Sequence, residues 1–361
     1  MALETDVIAS MAARVQSATA AGTQLRIRGG GSKDFYGQSL EGDILDMTAY
    51  AGIVSYEPSE LVVTVRAGTP LADLEALLAA QGQCLPFEPP HFSAAGARAT
   101  VGGMVASGLN GPARTSVGAV RDYMLGVVLL NGKGERLVFG GQVMKNVAGY
   151  DVSRLMAGSL GTLGVLLEVS LKVLPVAPME ATLVFDMGEA AALQQLNRWG
   201  AMPLPVNASC WREGRLWVRL RGAKAAVAAA QKTMGGDVLD GDAARHWTAL
   251  REQAQPFFAL QGDESLWRLS VPDTTAPLNL GETLVEWGGA QRWVKRPDGD
   301  AALIREAAAQ ASGHATLFRS AHKSVPVFSA LKPPLDRIHR ELKKQFDPAG
   351  VFNPRRMYAD F

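Results

Sequence analysis

Thr100-Val101-Gly102-Gly103-Met104-Val105-Ala106-Ser107-Gly108-Leu109-Asn110-Gly111 is built almost wholly from small residues. Such a run cannot fill a core through side-chain bulk, so other material must lie against it. A long flat ligand resting on bare backbone accounts for it better than a tight crossing of two chain segments. Upstream, Arg28-Gly29-Gly30-Gly31-Ser32 follows directly on the β-branched run Leu25–Ile27. Glycines there let backbone N–H groups converge on a phosphate, and Ser32 adds a hydroxyl donor. Downstream, Gly158-Ser159-Leu160-Gly161-Thr162-Leu163-Gly164 precedes the apolar run Val165–Val173. Read singly, the first and third clusters are also what turns beside strands look like. Their weight comes from sharing one half of the chain with the second.

Around these clusters, residues 25–175 hold short strand-like runs: Leu25–Ile27, Ile44–Met47, Ile53–Tyr56, Leu61–Val65, Met124–Leu130, Leu137–Phe139 and Leu166–Val173. Asn131-Gly132 between two of them predicts a hairpin, which excludes a purely parallel, crossover-built sheet. Thr69 and Pro70 predict a helix start, with Thr69 as N-cap and Leu71, Leu74, Leu77 and Leu78 on its apolar face. At the amino terminus Ile8, Met11 and Val15 share a helix face, and the acidic Glu4 and Asp6 are unlike a signal peptide. From about Pro178 the texture changes. Strand-like Leu183–Phe185, Leu216–Leu220, Leu266–Val271 and Ala315–Phe318 alternate with helix-like Ala190–Trp199, Ala223–Met234 and Ala301–Ala311, predicting a helix-backed antiparallel sheet. After Pro333-Pro334, Leu335, Ile338, Leu342 and Phe346 recur at helical spacing.

Length and composition agree with an α+β chain of more than one domain. The 361 residues exceed the roughly 100–200 of a single domain. The expected boundaries are 1–175, 176–325 and a final segment, 326–361, returning to the first domain. With 36 basic and 35 acidic residues there is no basic field to attract nucleic acid. No apolar run reaches the roughly 20 residues of a membrane span. Cys84 and Cys210 are the only cysteines, too few for the thiolates of an iron–sulfur cluster, and they fit a reducing cytoplasm. His91, His246, His314, His322 and His339 show no metal-ligand spacing, so no metal site is expected. There is no G-x-G-x-x-G, no P-loop and no G-x-S-x-G elbow.

At these residues the chain resembles the vanillyl-alcohol oxidase and p-cresol methylhydroxylase family of FAD-binding proteins. Within it, Gln83–Pro90, Ala99–Gly111, Asp122–Gly126, Lys145–Asp151, Trp267–Pro272 and the closing Phe346-Asp347-Pro348 and Phe352-Asn353-Pro354 most resemble the FAD-binding subunits of glycolate oxidases. The resemblance implies a two-subdomain FAD-binding domain and a smaller α+β cap domain with an antiparallel sheet. It also implies FAD as cofactor and, as partners, a larger FAD-containing subunit and an iron–sulfur subunit, with the assembly cytoplasmic or held peripherally at a membrane through those partners. Carried over, Gly29, Gly30, Gly31 and Ser32 receive the pyrophosphate. Thr100, Val101, Gly102, Gly103, Ala106, Ser107 and Gly108 line the flavin and its ribityl chain. Gly161, Thr162, Gly164 and Val165 lie near the adenine and central portion, and Asn353 sits by the ring. Lys145, Asn146, Tyr150 and Asp151 also match the pattern.

Three departures qualify this. Lys33 stands where covalent members of the family carry a histidine, so the FAD is expected to be non-covalent. Leu160 replaces a usual glutamate. The histidine-rich metal segment of complete 2-hydroxy-acid dehydrogenases is missing. The expected chemistry is oxidation of glycolate to glyoxylate by hydride transfer to flavin, with Arg268, Arg292 and Arg319 as candidate cations for the substrate carboxylate. Two alternatives stay open: a non-catalytic FAD subunit that relays electrons or stabilises the complex, and a stand-alone oxidase of another alcohol or 2-hydroxy acid.

Overall fold

Two large antiparallel sheets hold most of the strands, one in each half of the chain. The computed structural model describes residues 2–93, 96–141 and 151–360. The first half runs α1 (Ala2–Ala21), β1 (Leu25–Arg28), β2 (Asp43–Asp46), β3 (Ile53–Glu57), β4 (Val62–Arg66), α2 (Leu71–Ala79), β5 (Gln83–Cys84), α3 (Val101–Ser107), α4 (Arg114–Val117), α5 (Val120–Tyr123), β6 (Met124–Leu130), β7 (Arg136–Gly140), α6 (Val152–Leu155), β8 (Val165–Lys172) and β9 (Leu174–Pro175). Its main sheet has the order β3-β4-β8-β6-β7, while β1 and β2 form a separate parallel pair. The central strands β6 and β8 are apolar nearly throughout because both of their faces are covered. Val127, Leu129 and Leu166 join the core under α2 and α3, whereas Val128, Leu130, Val165 and Leu167 join a second core with Met11 and Val15 of α1 and Leu25 of β1. The edge strand β7 alternates between exposed and half-buried positions instead. Asn131 shapes the β6–β7 hairpin by accepting from Lys133 N and Glu135 N.

The second half runs β10 (Met179–Asp186), α7 (Glu189–Gly200), β11 (Val206–Arg212), β12 (Arg215–Gly222), α8 (Lys224–Met234), β13 (Asp237–Val238), α9 (Ala243–Arg251), β14 (Glu264–Ser270), β15 (Thr283–Glu286), β16 (Gln291–Pro297), α10 (Ala301–Gln310), β17 (His314–Arg319) and α11 (Leu335–Phe346). The sheet order is β13-β10-β12-β11-β15-β16-β14-β17. Alternation along β12 sends Leu216, Val218 and Leu220 outward against Leu196 of α7 and Val227 of α8. Beneath α10, Trp267, Leu269 and Leu317 pack on Ile304 and Ala308. The opposite face of the sheet meets the first half, where Leu266, Leu284, Trp293 and Phe318 pack with Tyr36, Leu109 and Leu160.

Two local expectations need correction. Pro70, not Thr69, is the N-cap of α2, and the Thr69 hydroxyl exchanges hydrogen bonds with Gly52 N and O on a neighbouring turn. On α11, Leu335 and Ile338 lie on the surface, and the side chain the helix buries is Lys343. Lys343 Nζ donates to Asp347 Oδ2, Phe352 O and Thr162 O at 2.6, 2.9 and 2.8 Å, so a charge-assisted bond and two carbonyls offset its desolvation.

Candidate functional site

All three glycine clusters face one trough. Its two adjoining parts, about 420 and 540 Å³, share Ile27, Gly29, Thr100, Gly103, Ala106, Leu160 and Asn353 in their walls. From the first cluster, Gly29, Gly30, Gly31 and Ser32 line it together with Lys33. Gly31 has φ +76°, and any side chain on Gly30 would strike the Arg98 carbonyl, so backbone lies against backbone there. Burial pushes the Lys33 ammonium down to about 8, against the opposing charge of Glu252.

The second cluster forms α3, capped by Thr100, whose hydroxyl accepts from Gly103 N at 3.2 Å. Helical spacing divides its residues by role. Val101, Met104 and Val105 are buried in the core. Gly103, Ala106 and Ser107, three and four positions apart, turn a nearly bare face to the trough. A Cβ added at Gly103 would meet only the Thr100 hydroxyl, 3.1 Å away, and would otherwise stand in the cavity. Gly102 lines the trough, and a Cβ added to it would strike Ala67, 2.8 Å from its Cβ.

Gly161 and Gly164 of the third cluster complete the wall. Asn353 braces this side: its Oδ1 accepts from Ile27 N at 2.8 Å and its Nδ2 donates to Leu160 O at 2.6 Å. Its amide is thus engaged at both ends with the walls of the trough. Val101, Gly108, Thr162 and Val165 do not line the trough. Val101 and Val165 are core residues, Gly108 packs on Gly158, and the Thr162 hydroxyl donates to Ser159 O. Lys145, Asn146 and Tyr150 lie outside the described residues, and Asp151 is exposed and paired with Arg154. A long trough walled by glycine backbone, with one rim of phosphate-loop type and space held open at Gly103, fits FAD.

A second cavity, about 330 Å³, begins where the second cluster ends. Leu109, Asn110 and Gly111 form one wall, and Arg268, Glu286, Gln291, Trp293 and Phe318 come from the eight-stranded sheet. Of the three candidate cations only Arg268 reaches it. Arg292 is corrected: it is fully buried on the far side, donating to Gly289 O, Thr275 O and Glu189 Oε1. Arg319 stacks over Phe35 at 4.5 Å and over Phe92 at 5.7 Å, and burial lowers its pKa. Glu286 was missed by the sequence reading. Burial drives its carboxyl up to about 7, against hydrogen bonds from Trp293 and Gln291. The only signal was a carboxylate closing the apolar run Thr283–Val285 ahead of Trp287-Gly288-Gly289.

Among the described residues no three His, Cys, Asp or Glu side chains group to hold a metal, and no helix is long and apolar enough to cross a membrane.

Comparison with known proteins agrees with this geometry. Residues 4–140 match a family described as an FAD binding domain. The glycolate oxidase subunit GlcE of Escherichia coli (strain K12) is 46% identical over 361 residues, covering 100% of both chains. The glycolate oxidase subunit GlcD of Bacillus subtilis (strain 168) is 30% identical over 142 residues, 39% of this chain and 29% of that one. The D-lactate dehydrogenase of Anaerostipes hadrus is 34% identical over 134 residues, 37% of this chain and 27% of its own. Among solved structures, an alkyldihydroxyacetonephosphate synthase superposes with a TM-score of 0.65 at 16% identity, covering 96% of this chain and 75% of the other, which is a likeness of fold.

Proposed function

The chain belongs to the family of the glycolate oxidase subunit GlcE and is an FAD-binding oxidoreductase subunit, and from that premise we propose that it carries FAD non-covalently in the glycine-lined trough within a multi-subunit glycolate oxidase. The observation that carries this reading is the convergence of three sequence-distant glycine clusters on one trough. FAD bound there supplies a two-electron acceptor for a hydride leaving C2 of glycolate, giving glyoxylate.

The residues assigned to the cofactor are those that line the trough: Gly29 to Ser32 for the pyrophosphate, and Gly102, Gly103, Ala106, Ser107, Gly161 and Gly164 for the rest of its length. Thr100 holds the turn of α3 in place and Asn353 ties the two walls together. In this reading residues 1–175 are the FAD-binding domain, 176–325 the cap, and 326–361 the segment that returns to close the trough. The partners are a larger FAD-containing subunit and an iron–sulfur subunit. Cys84 and Cys210, both free thiols, are too few to hold a cluster in this chain, so one-electron carriers belong to a partner. Free thiols also suit a cytoplasmic assembly, peripheral to a membrane through its partners.

The test is to purify the full chain, quantify its flavin, and mix it anaerobically with glycolate, alone and with its partner subunits. Bound FAD, reduced slowly by glycolate until the partners are added, is the expected result. A chain that takes up no FAD would overturn the reading.

A further inference from the structure

The cavity beyond the end of the second glycine cluster shares none of its lining residues with the trough, yet it adjoins the trough along the chain. Ala106 and Ser107 line the trough and Leu109 to Gly111 line the cavity, with Gly108 between them in the left-handed region at φ +62°. Strand register puts the polar groups of the cavity on one face. Arg268 is the cross-strand partner of Trp293, Glu286 that of Gln291, and Gln291 and Trp293 stand two apart on β16.

Two of these groups are left poised. Arg268 is half-buried. Its guanidinium lies 5.7 Å from the Tyr36 ring centre and 5.5 Å from that of Phe318, and it donates to Tyr36 Oη at 3.0 Å. Among the described residues it pairs with no carboxylate. Glu286 is buried, and both of its hydrogen bonds fall on Oε2, from Trp293 Nε1 at 2.5 Å and Gln291 Nε2 at 3.0 Å. Among the described residues no donor is bonded to Oε1. A guanidinium without its anion and a carboxyl held by one oxygen therefore share a small cavity with Phe92, Leu109, Leu250 and Phe318, and with Arg251, which is already paired with Glu252. Both groups line the cavity and are open to a ligand there.

We propose that this cavity is a binding site for a small 2-hydroxy carboxylate, with Arg268 taking the carboxylate and Glu286 the hydroxyl. The inference rests on the reading of the chain as a glycolate oxidase FAD subunit. The pairing follows from chemistry: a planar guanidinium matches a carboxylate with two parallel bonds, and a buried carboxyl discriminates for a hydroxyl because an analogue lacking it leaves the carboxyl unpaired.

Binding is measured by calorimetry on the full, FAD-loaded chain with its flavin reduced beforehand, so that glycolate binds without reacting. Glycolate is compared with acetate, which lacks the hydroxyl. The wild type should bind one glycolate per chain, about tenfold or more tighter than acetate. Arg268→Gln should weaken both acids by about tenfold or more. Glu286→Leu should lower glycolate to the level of acetate and leave acetate unchanged. Where Glu286→Leu loses its FAD or its cooperative melting, Trp293→Phe is read instead; it withdraws the indole N–H that orients the carboxyl and should narrow the same gap. Glycolate binding within twofold of wild type in Arg268→Gln, or no preference of the wild type for glycolate over acetate, overturns the proposal. FAD content, recorded on every sample, separates this failure from that of the parent reading: a chain full of FAD that ignores glycolate refutes the cavity alone.

Discussion

Nη2 of Arg219 reaches both carboxylate oxygens of Glu88, at 2.7 and 2.8 Å, across the seam between the two large sheets. Arg219 also donates to Asn207, and Arg221 adds a bond to Glu88 at 3.1 Å. The Arg219 side chain is 3% exposed and that of Glu88 is 14% exposed. Removing one partner would strand a buried charge. Glu88→Ala should therefore destabilise the protein by about 3–5 kcal/mol, read as a shift in the urea unfolding midpoint at unchanged slope. A loss below about 1 kcal/mol would mean that the pair behaves like a surface salt bridge.

Gly103 and Gly30 should part company on substitution. Gly103→Val projects into the trough and meets only one hydroxyl, so flavin content should fall to about a tenth or less while the apoprotein loses no more than about 1 kcal/mol. Gly30→Ala drives a methyl into the Arg98 carbonyl and should deprive the cell of folded protein. Flavin absorbance per chain and thermal melting of the apoproteins check both. Unchanged flavin in Gly103→Val would make that cluster a packed helix and no more.

Acid precipitation should leave a colourless pellet and intact FAD in the supernatant, because Lys33, beside the Gly29–Ser32 loop, stands where a histidine would be needed for a linkage. Mass spectrometry of the denatured chain is the measurement. A mass raised by one flavin would sink the expectation.

Glu286 gives stability a pH dependence of definite sign. Its carboxyl ordinarily titrates at 4.5 and is held up to about 7 in the folded protein. The stabilisation due to the neutral form is complete below 4.5 and is lost as pH rises through about 7. Glu286→Gln, neutral throughout, should gain on wild type by roughly 3 kcal/mol between pH 4.5 and 8. The groups around it leave this difference intact. Cys210, its cross-strand neighbour on β11, is pushed well above 9 by burial. Burial lowers His246 to about 4, which acts in the opposite direction, but it does so in both proteins. Urea titrations of the pair at several pH values supply the test, and parallel profiles would refute it.

Much of the trough could be read in the sequence because glycine is demanded by geometry that is local. Gly31 at φ +76° and Gly161 at φ +72° need no knowledge of distant partners to stand out. The strands were legible where covering on both faces makes a continuous apolar run, as in β6 and β8, and the eight-stranded sheet where alternation is regular, as in β12. What failed was whatever depends on the far side of a contact. Arg292 and Arg268 sit on neighbouring strands of one sheet and look alike in sequence, yet one is sealed behind Glu189 while the other opens on the cavity. Thr69 has the composition of an N-cap, but Gly52 offers its hydroxyl both a donor and an acceptor. Glu88 was part of a recognised motif, although its partner lies 131 residues away. No periodicity encodes that distance.

The brace between Ile27, Leu160 and Asn353 also orders events in time. Segments made early supply the Gly29–Ser32 loop and α3, but the two walls gain this brace only when residue 353 joins them. A ribosome still translating α11 carries a chain whose trough lacks its clasp, so cofactor loading belongs after synthesis of the second half, not during it. Nascent chains halted at residue 340 should be free of flavin even where FAD is abundant, and chains released with Asn353 in place should acquire it.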